Sequence, residues 1–358
     1  PFTPEQYAAT YPARFKAAGY RVGFIGKFHV PQPPVEQFDY WGGFPAQGQY
    51  YHAVDVQQRH LTSMLGDRAI EFLEGCSDDE PFCLSVWFKA PHVQDGTLTQ
   101  PFLYDPALES LYADAEIPVP QLAEPRYFEM QPEFIRRSEA RRRWELRFGT
   151  SERYQASMKG HLRLITGIDR VVGRVHEELE RRGWDENTVI VYTSDNGYYL
   201  GEYGLAGKWF MHEVSIRTPL MIRDPRAPES TRGTTRDEVV LNIDVASTLL
   251  DLAGLPVPEV MQGRSMRPLV EGAEVADWRD DFFYEYHYSH RGRLPPVEGV
   301  REPRWKYWRY LEPDPPYEEL YDLATDPQET ENLAGSPAHA DELARMRGKW
   351  AQYREQVR

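Results

Sequence analysis

The chain has 358 residues, 41% of them hydrophobic and 13% aromatic, enough to build a large folded core. A formal net charge of −15 excludes a surface-wide basic face for nucleic acid or an anionic membrane, but leaves room for a small anion in a locally basic pocket. No apolar run approaches the roughly 18 residues of a membrane-spanning helix.

In chain order, "YRVGFIGKFH" reads as a helix end at Gly19 followed by a buried strand from Val22 to Ile25. "HLTSMLGDRAIEFLEGC" carries Leu61, Leu65, Ile70 and Leu73 at helical spacing, and "PFCLSVWF" after it is a buried strand. Cys76 and Cys83 bracket the turn between them and are expected as free thiols ahead of a local disulfide. Residues 121–150 are rich in Pro, Glu and Arg. Within them "RRSEARRRWELR" reads first as a solvated helical face, then as a lid over an anion, and least as a nucleic-acid helix.

Residues 151–182 form a long helix with Leu162, Ile165, Ile168, Val172 and Val175 on its apolar stripe. "NTVIVYTSD" and "TPLMIRD" are strands, and "IDVASTLLDLAG" is a helix stopped by Gly254. From about residue 276 short aromatic runs, "DDFFYEYHY", "RWKYWRY" and "EELYDL", precede a terminal amphipathic helix. The expected fold is α/β, a large mostly parallel central sheet flanked by helices over residues 1–275, with a variable excursion near 95–150. A small antiparallel α+β subdomain with a terminal helix is expected over 276–358.

Four polar clusters follow predicted strands, where ligands gather in open α/β sheets. They are Lys27 and His29 in "GKFH", Lys89 and His92 in "KAPH", Asp195 and Asn196 in "SDNG", and Lys208 in "GKW". Each alone has an ordinary explanation: a solvated lysine, a loop histidine, a turn-forming Asp-Asn-Gly. Together they suit hydrolysis of a sulfate or phosphate ester. Asp195 and Asn196 offer hard oxygens for Ca²⁺, ahead of Mg²⁺; lysines meet the charge of a tetrahedral anion; histidines move protons. Two oxygens are few for such a cation, and no nucleophile stands beside a base.

The stretches "AGYRVGFIGKFH", "FDYWGGFPAQGQYY", "FKAPH", "GIDRVVGRVHEELERRGWDENTVIVYTSDNGYYLGEYGLAGKW", "SIRTPLMIRDPR", "NIDVASTLLDLAGLPVPEVMQGRSMRPL" and "ELYDLATDPQETENLA" together resemble the type I sulfatases of the alkaline phosphatase superfamily. The likeness spans nearly the whole chain and leans toward the N-acetylglucosamine-6-sulfatase and arylsulfatase branch. It implies that Lys27 and His29 contact nucleophile and sulfate, that His92 lies by the leaving-group oxygen, and that Lys208 binds a sulfate oxygen. It also implies that Asp195 and Asn196 bind calcium. The nucleophile would be a formylglycine, made by a formylglycine-generating or anaerobic maturation enzyme.

The chain departs from the pattern in three places. Phe28 replaces a usual Trp, Tyr203 a frequent His, and the C/S-x-P-x-R nucleophile motif with its preceding Asp-Asp pair is absent. The resemblance thus implies a chain without its N-terminal segment, periplasmic or secreted by family habit, acting when complete on a small sulfated sugar or glycan chain end. A phosphodiester or phosphonate monoester hydrolase of the same fold, and a non-catalytic binder of sulfated glycans, are the alternatives.

Overall fold

A computed structural model describes residues 2–28, 33–51, 58–94, 96 and 100–357. Its first sheet is parallel, with strands β1 (Arg21–Phe28), β2 (Tyr40–Pro45) and β3 (Phe82–Trp87) in the order β2-β1-β3. Alternation along β1 sets its two faces. Ile25 joins Leu61, Leu65 and Ala69 of the helix Leu61–Glu74 and Leu164 and Ile168 of the long helix Ser151–Arg182. Val22 packs on the opposite side with Phe15 and with Leu250 of the helix Asn242–Leu252. The sheet is therefore covered on both faces, as a parallel sheet requires. β2 was missed in the sequence because its glycines, Gly42 and Gly43, break the β-branched pattern of a buried strand.

The long helix is as expected, but its buried stripe runs through Leu164, Ile168 and Val171, while Ile165 is 38% exposed. Reading Leu162 and Ile165 as core placed the stripe slightly too far round the helix. "TPLMIRD" also forms a strand, but pairs differently from a parallel crossover. β4 (Ile190–Thr193) runs antiparallel to β7 (Leu220–Arg223) as a separate two-stranded sheet. Between them lies a two-residue hairpin, β5 (Tyr199–Leu200) with β6 (Ala206–Gly207). Cys76 and Cys83 are free thiols.

The C-terminal sheet is antiparallel throughout: β8 (Phe282–Tyr286), β9 (Val297–Arg301), β10 (Trp305–Tyr310) and β11 (Tyr317–Asp322) lie in the order β11-β10-β9-β8. One face carries the terminal helix Ala340–Gln356 through Leu343, Met346 and Trp350. The other face, with Val297, Trp308, Tyr310 and Tyr321, closes over Tyr199, Tyr203, Leu205, Phe210 and Met211. The residues around the β5–β6 hairpin are thus core, wedged between the two sheets. Beneath them Lys306, fully buried, bridges Glu213 at 2.9 Å and Glu329 at 2.7 Å. No helix among the described residues is long and apolar enough to cross a membrane.

Candidate active site

Lys27 stands at the carboxyl end of β1, half-buried. The residue before it, Gly26, has φ +108°, and a Cβ there would lie 2.0 Å from the Trp87 carbonyl oxygen of β3. Only glycine permits that approach, and it sets the direction in which Lys27 leaves the strand. His29 lies outside the described residues.

Asp195 and Asn196 follow β4, again at a carboxyl end. Asn242, at the start of its helix, donates its amide to the carbonyls of Ser194 and Asp195 at 3.3 and 3.1 Å, and Gly197 N–H donates to Ser215 at 2.9 Å. These bonds fix the turn. Lys208 reaches it from the far side of the hairpin, its Nζ donating to Asn196 Oδ1 at 2.6 Å.

Lys208 owes its direction to an uncommon backbone. Gly207 before it has φ +106° and Trp209 after it has φ +98°, a conformation costly for a bulky residue. A Cβ on Gly207 would lie 2.8 Å from the Trp209 ring, which folds back over it. Burial lowers the Lys208 pKa; Asp195 opposes this, and the charges of Lys27 and Arg143 add to the lowering. Lys27, Asp195 and Arg143 therefore all act on one ammonium group.

Arg143 comes from the arginine-rich helix Glu139–Arg147, which packs on β6. This helix is not the solvated face expected from its charge. Glu139 is fully buried, and Arg147 is buried with Nη1 donating to the Tyr198 hydroxyl at 2.5 Å. Arg143 gives its Nε to Glu139 at 3.0 Å and lays its guanidinium 4.8 Å from the centre of the Trp209 ring. Sequence reading missed its part here, because three consecutive arginines look alike until helix phase selects one.

His92 follows β3, the neighbour of β1, and is half-buried. Its Nδ1 lies 2.8 Å from the Val93 carbonyl, which also accepts from Lys89 Nζ at 3.2 Å. The carbonyl holds a proton on Nδ1, so the neutral ring presents Nε2 as its basic nitrogen and the protonated ring donates from Nε2. Lys89 is only 3% exposed, with its ammonium 5.1 Å from the centre of the Tyr50 ring; it braces this loop. Tyr203 is a core residue, 2% exposed, with its hydroxyl donating to Gln328 at 2.7 Å and its ring 4.3 Å from that of His212.

Asp195 and Asn196 do not make a calcium shell by themselves. Calcium takes six or more oxygens, and Asn196 Oδ1 is already bonded to Lys208. Among the described residues the one cluster of three carboxylate or imidazole groups is Glu285, His287 and Glu298, in the C-terminal sheet. There Glu298 is engaged by Trp350 at 3.1 Å and Arg354 at 3.3 Å. What the described residues around Lys208 assemble is a concentration of positive charge, with Lys27 and Arg143 bearing on one ammonium beside Asp195.

The sulfatase family model matches residues 4–255, and a model of the C-terminal part of N-sulphoglucosamine sulphohydrolase matches 201–356. The chain belongs to the sulfatase family. Among relatives of this sulfatase-family chain, the N-acetylglucosamine-6-O-sulfatase of Bacteroides thetaiotaomicron is 30% identical over 393 residues, covering 92% of this chain and 69% of that protein. The choline-sulfatase of Rhizobium meliloti is 29% identical, covering 92% and 67%. The extracellular sulfatase SULF-1 homolog of Drosophila melanogaster is 30% identical over 84% of this chain but only 28% of its own length.

A structure solved in complex with its substrate D-glucosamine-2-N,6-O-disulfate superposes with a TM-score of 0.83 at 28% identity, covering 98% of this chain and 84% of that one. A phosphonate monoester hydrolase from Silicibacter pomeroyi shares the fold, with a TM-score of 0.76 at 21% identity over 97% and 79%.

Proposed function

We propose that the protein is a sulfuric ester hydrolase acting on a sulfated sugar. One observation carries this reading: Lys208, hydrogen-bonded to Asn196 beside Asp195, also has the charge of Lys27 bearing on it from the end of β1, in a chain whose net charge is −15. Partly buried like charges repel, and a tetrahedral oxyanion between them relieves that cost. The sulfated-sugar relatives support the choice of sulfate.

In this reading Lys27 and Lys208 grip the sulfate oxygens and draw off charge as the ester bond breaks. His92, with its Nδ1 proton held by Val93, delivers a proton from Nε2 to the departing sugar oxygen. Asp195 and, once Lys208 turns from its Oδ1 to the sulfate, Asn196 would give two oxygens to a calcium ion whose other ligands lie outside the described residues. The nucleophile, a formylglycine by family habit, would likewise come from outside them. The acidic surface favours small sugars or chain ends over long polyanions.

The test is hydrolysis of an aryl sulfate by the whole protein. Lys208→Ala should lower kcat by a hundredfold or more, as loss of a group meeting transition-state charge does, with an unchanged melting temperature. Wild-type turnover in that variant would remove Lys208 from the site.

A further inference from the structure

Glu139 is a hub. Its buried carboxylate meets Arg142 at 2.5 Å and Arg143 at 3.0 Å from its own helix. From the β8–β9 connection it meets Arg293 at 3.3 Å and His290 at 3.6 Å. Burial alone would raise the Glu139 carboxyl, but hydrogen bonds from Arg142 and Arg143 outweigh it and take it down to about 2. Three guanidiniums against one carboxylate leave a surplus of positive charge. That surplus is larger than an ion pair needs for stability, and it borders Trp209, the residue after Lys208.

Arg143 is the member of the hub turned toward the site. Its Nε is held by Glu139 and its face by Trp209, and its side chain remains 18% exposed. Among the described residues its two Nη groups have no hydrogen-bond partner, so a planar fork is fixed in place with its outer edge open. Such a fork matches two oxygens of a sulfate or carboxylate, which a lysine ammonium does not. The ring it covers belongs to Trp209, the residue directly after Lys208, so it borders the sulfate-holding lysine.

We propose that Arg143 forms a second anion subsite, reading a second sulfate carried by the same sugar unit as the sulfate held at Lys208. The proposal rests on the sulfated-sugar reading above and adds the charge pattern of the substrate. The clasp of Glu139 to Arg293 and His290 makes the subsite a joint product of the arginine-rich helix and the C-terminal subdomain. The long charged stretch of the sequence thereby acquires a task.

The experiment is calorimetric titration of this 358-residue chain with glucosamine-6-sulfate and with glucosamine-2-N,6-O-disulfate. Wild type should bind the disulfate at least tenfold more tightly. Arg143→Gln should abolish that preference while leaving glucosamine-6-sulfate affinity within about twofold; Glu139 keeps three partners in this variant, and an unchanged melting curve checks the fold. Arg143→Lys, which keeps the charge and loses the fork, should retain only part of the preference. Equal wild-type affinity for the two sugars, or an equal loss for both in Arg143→Gln, overturns the subsite. If wild type binds neither sugar, the sulfated-sugar reading falls and the subsite with it; monosulfate binding lost in Lys208→Ala, with the disulfate preference unchanged in Arg143→Gln, leaves that reading standing and removes only the subsite.

Discussion

The candidate site contains two glycine–lysine corners that reach one geometry by different means. Gly26-Lys27 and Gly207-Lys208 have nearly the same glycine φ, +108° and +106°. The first corner lies within a regular parallel sheet, and what forbids a side chain on Gly26 is backbone: the Trp87 carbonyl, 2.0 Å from where a Cβ would be. The second lies at the end of a two-residue hairpin, and what forbids a side chain on Gly207 is the ring of Trp209 at 2.8 Å. The sheet holds Lys27 by hydrogen-bond register, whereas Lys208 is held by packing from the arginine-rich helix and the C-terminal subdomain. A corner of the first kind is rigid for local reasons. A corner of the second kind is only as rigid as its distant supports.

The largest difference between them should appear on adding one methyl group. Gly26→Ala combines a disallowed φ with a clash against backbone that cannot move without breaking the β1–β3 ladder, and should cost roughly 4 kcal/mol. Gly207→Ala meets a side chain that can tilt and should cost about half as much. Urea denaturation of the two variants measures both. Equal losses would erase the distinction between a backbone-fixed and a packing-fixed lysine.

Acid should separate the corners next. The second corner rests on two buried imidazoles. His161 packs edge-on to Phe102 and 6.4 Å from the Tyr198 ring, and burial pushes it down to about 4. His212, whose Nδ1 shares a 2.7 Å hydrogen bond with Tyr199, is lowered by burial and then by Lys306. A histidine whose folded pKa lies below its unfolded value of 6.5 contributes stability in full above pH 6.5 and loses it as pH falls toward the folded value. For His161 the loss between pH 6.5 and 4 is roughly 3 kcal/mol. Denaturation at pH 7, 5.5 and 4.5 should show this decline, and His161→Gln should flatten it by about that amount. Parallel pH profiles for wild type and variant would mean that the imidazole is not paying for its burial.

The same contrast explains what could be read from the sequence. Gly-Lys after an apolar run points to a strand end, so Lys27 and the strands β1 and β3 were legible from local pattern. Asp195, Asn196 and Lys208 were legible as a cluster because motif residues there lie within fifteen positions. Arg143 was not, since it reaches Trp209 beside Lys208 only after the helix Glu139–Arg147 docks on β6, and docking depends on Glu139 finding partners about 150 residues away. β9 was missed for a related reason: "VEGVR" has a glycine at its centre, where the sulfur of Met211 approaches the site of a Cβ to 2.4 Å. The pairing of β7 was misjudged because a four-residue apolar strand reads the same in either direction.

The smallest effect should be the most informative about function. Replacing each lysine by methionine keeps the stem and removes the charge. Lys27 lies at a strand end with no ion pair among the described residues, and Lys27→Met should change stability by less than about 0.5 kcal/mol. Lys208 keeps an ammonium in a half-buried place that lowers its pKa, with Lys27 and Arg143 opposing its charge and, among the described residues, only Asp195 and Asn196 compensating. Removing that charge loses one hydrogen bond to a half-buried amide that water can replace, and ends a repulsion. Lys208→Met should therefore leave stability unchanged or raise it by up to about 1 kcal/mol, while sulfate binding falls at least tenfold. Calorimetric melting paired with sulfate titration reads both quantities on one sample. A lysine that costs stability and is needed only when an anion arrives is there for the anion; a variant that melts markedly lower would make Lys208 a structural cation instead.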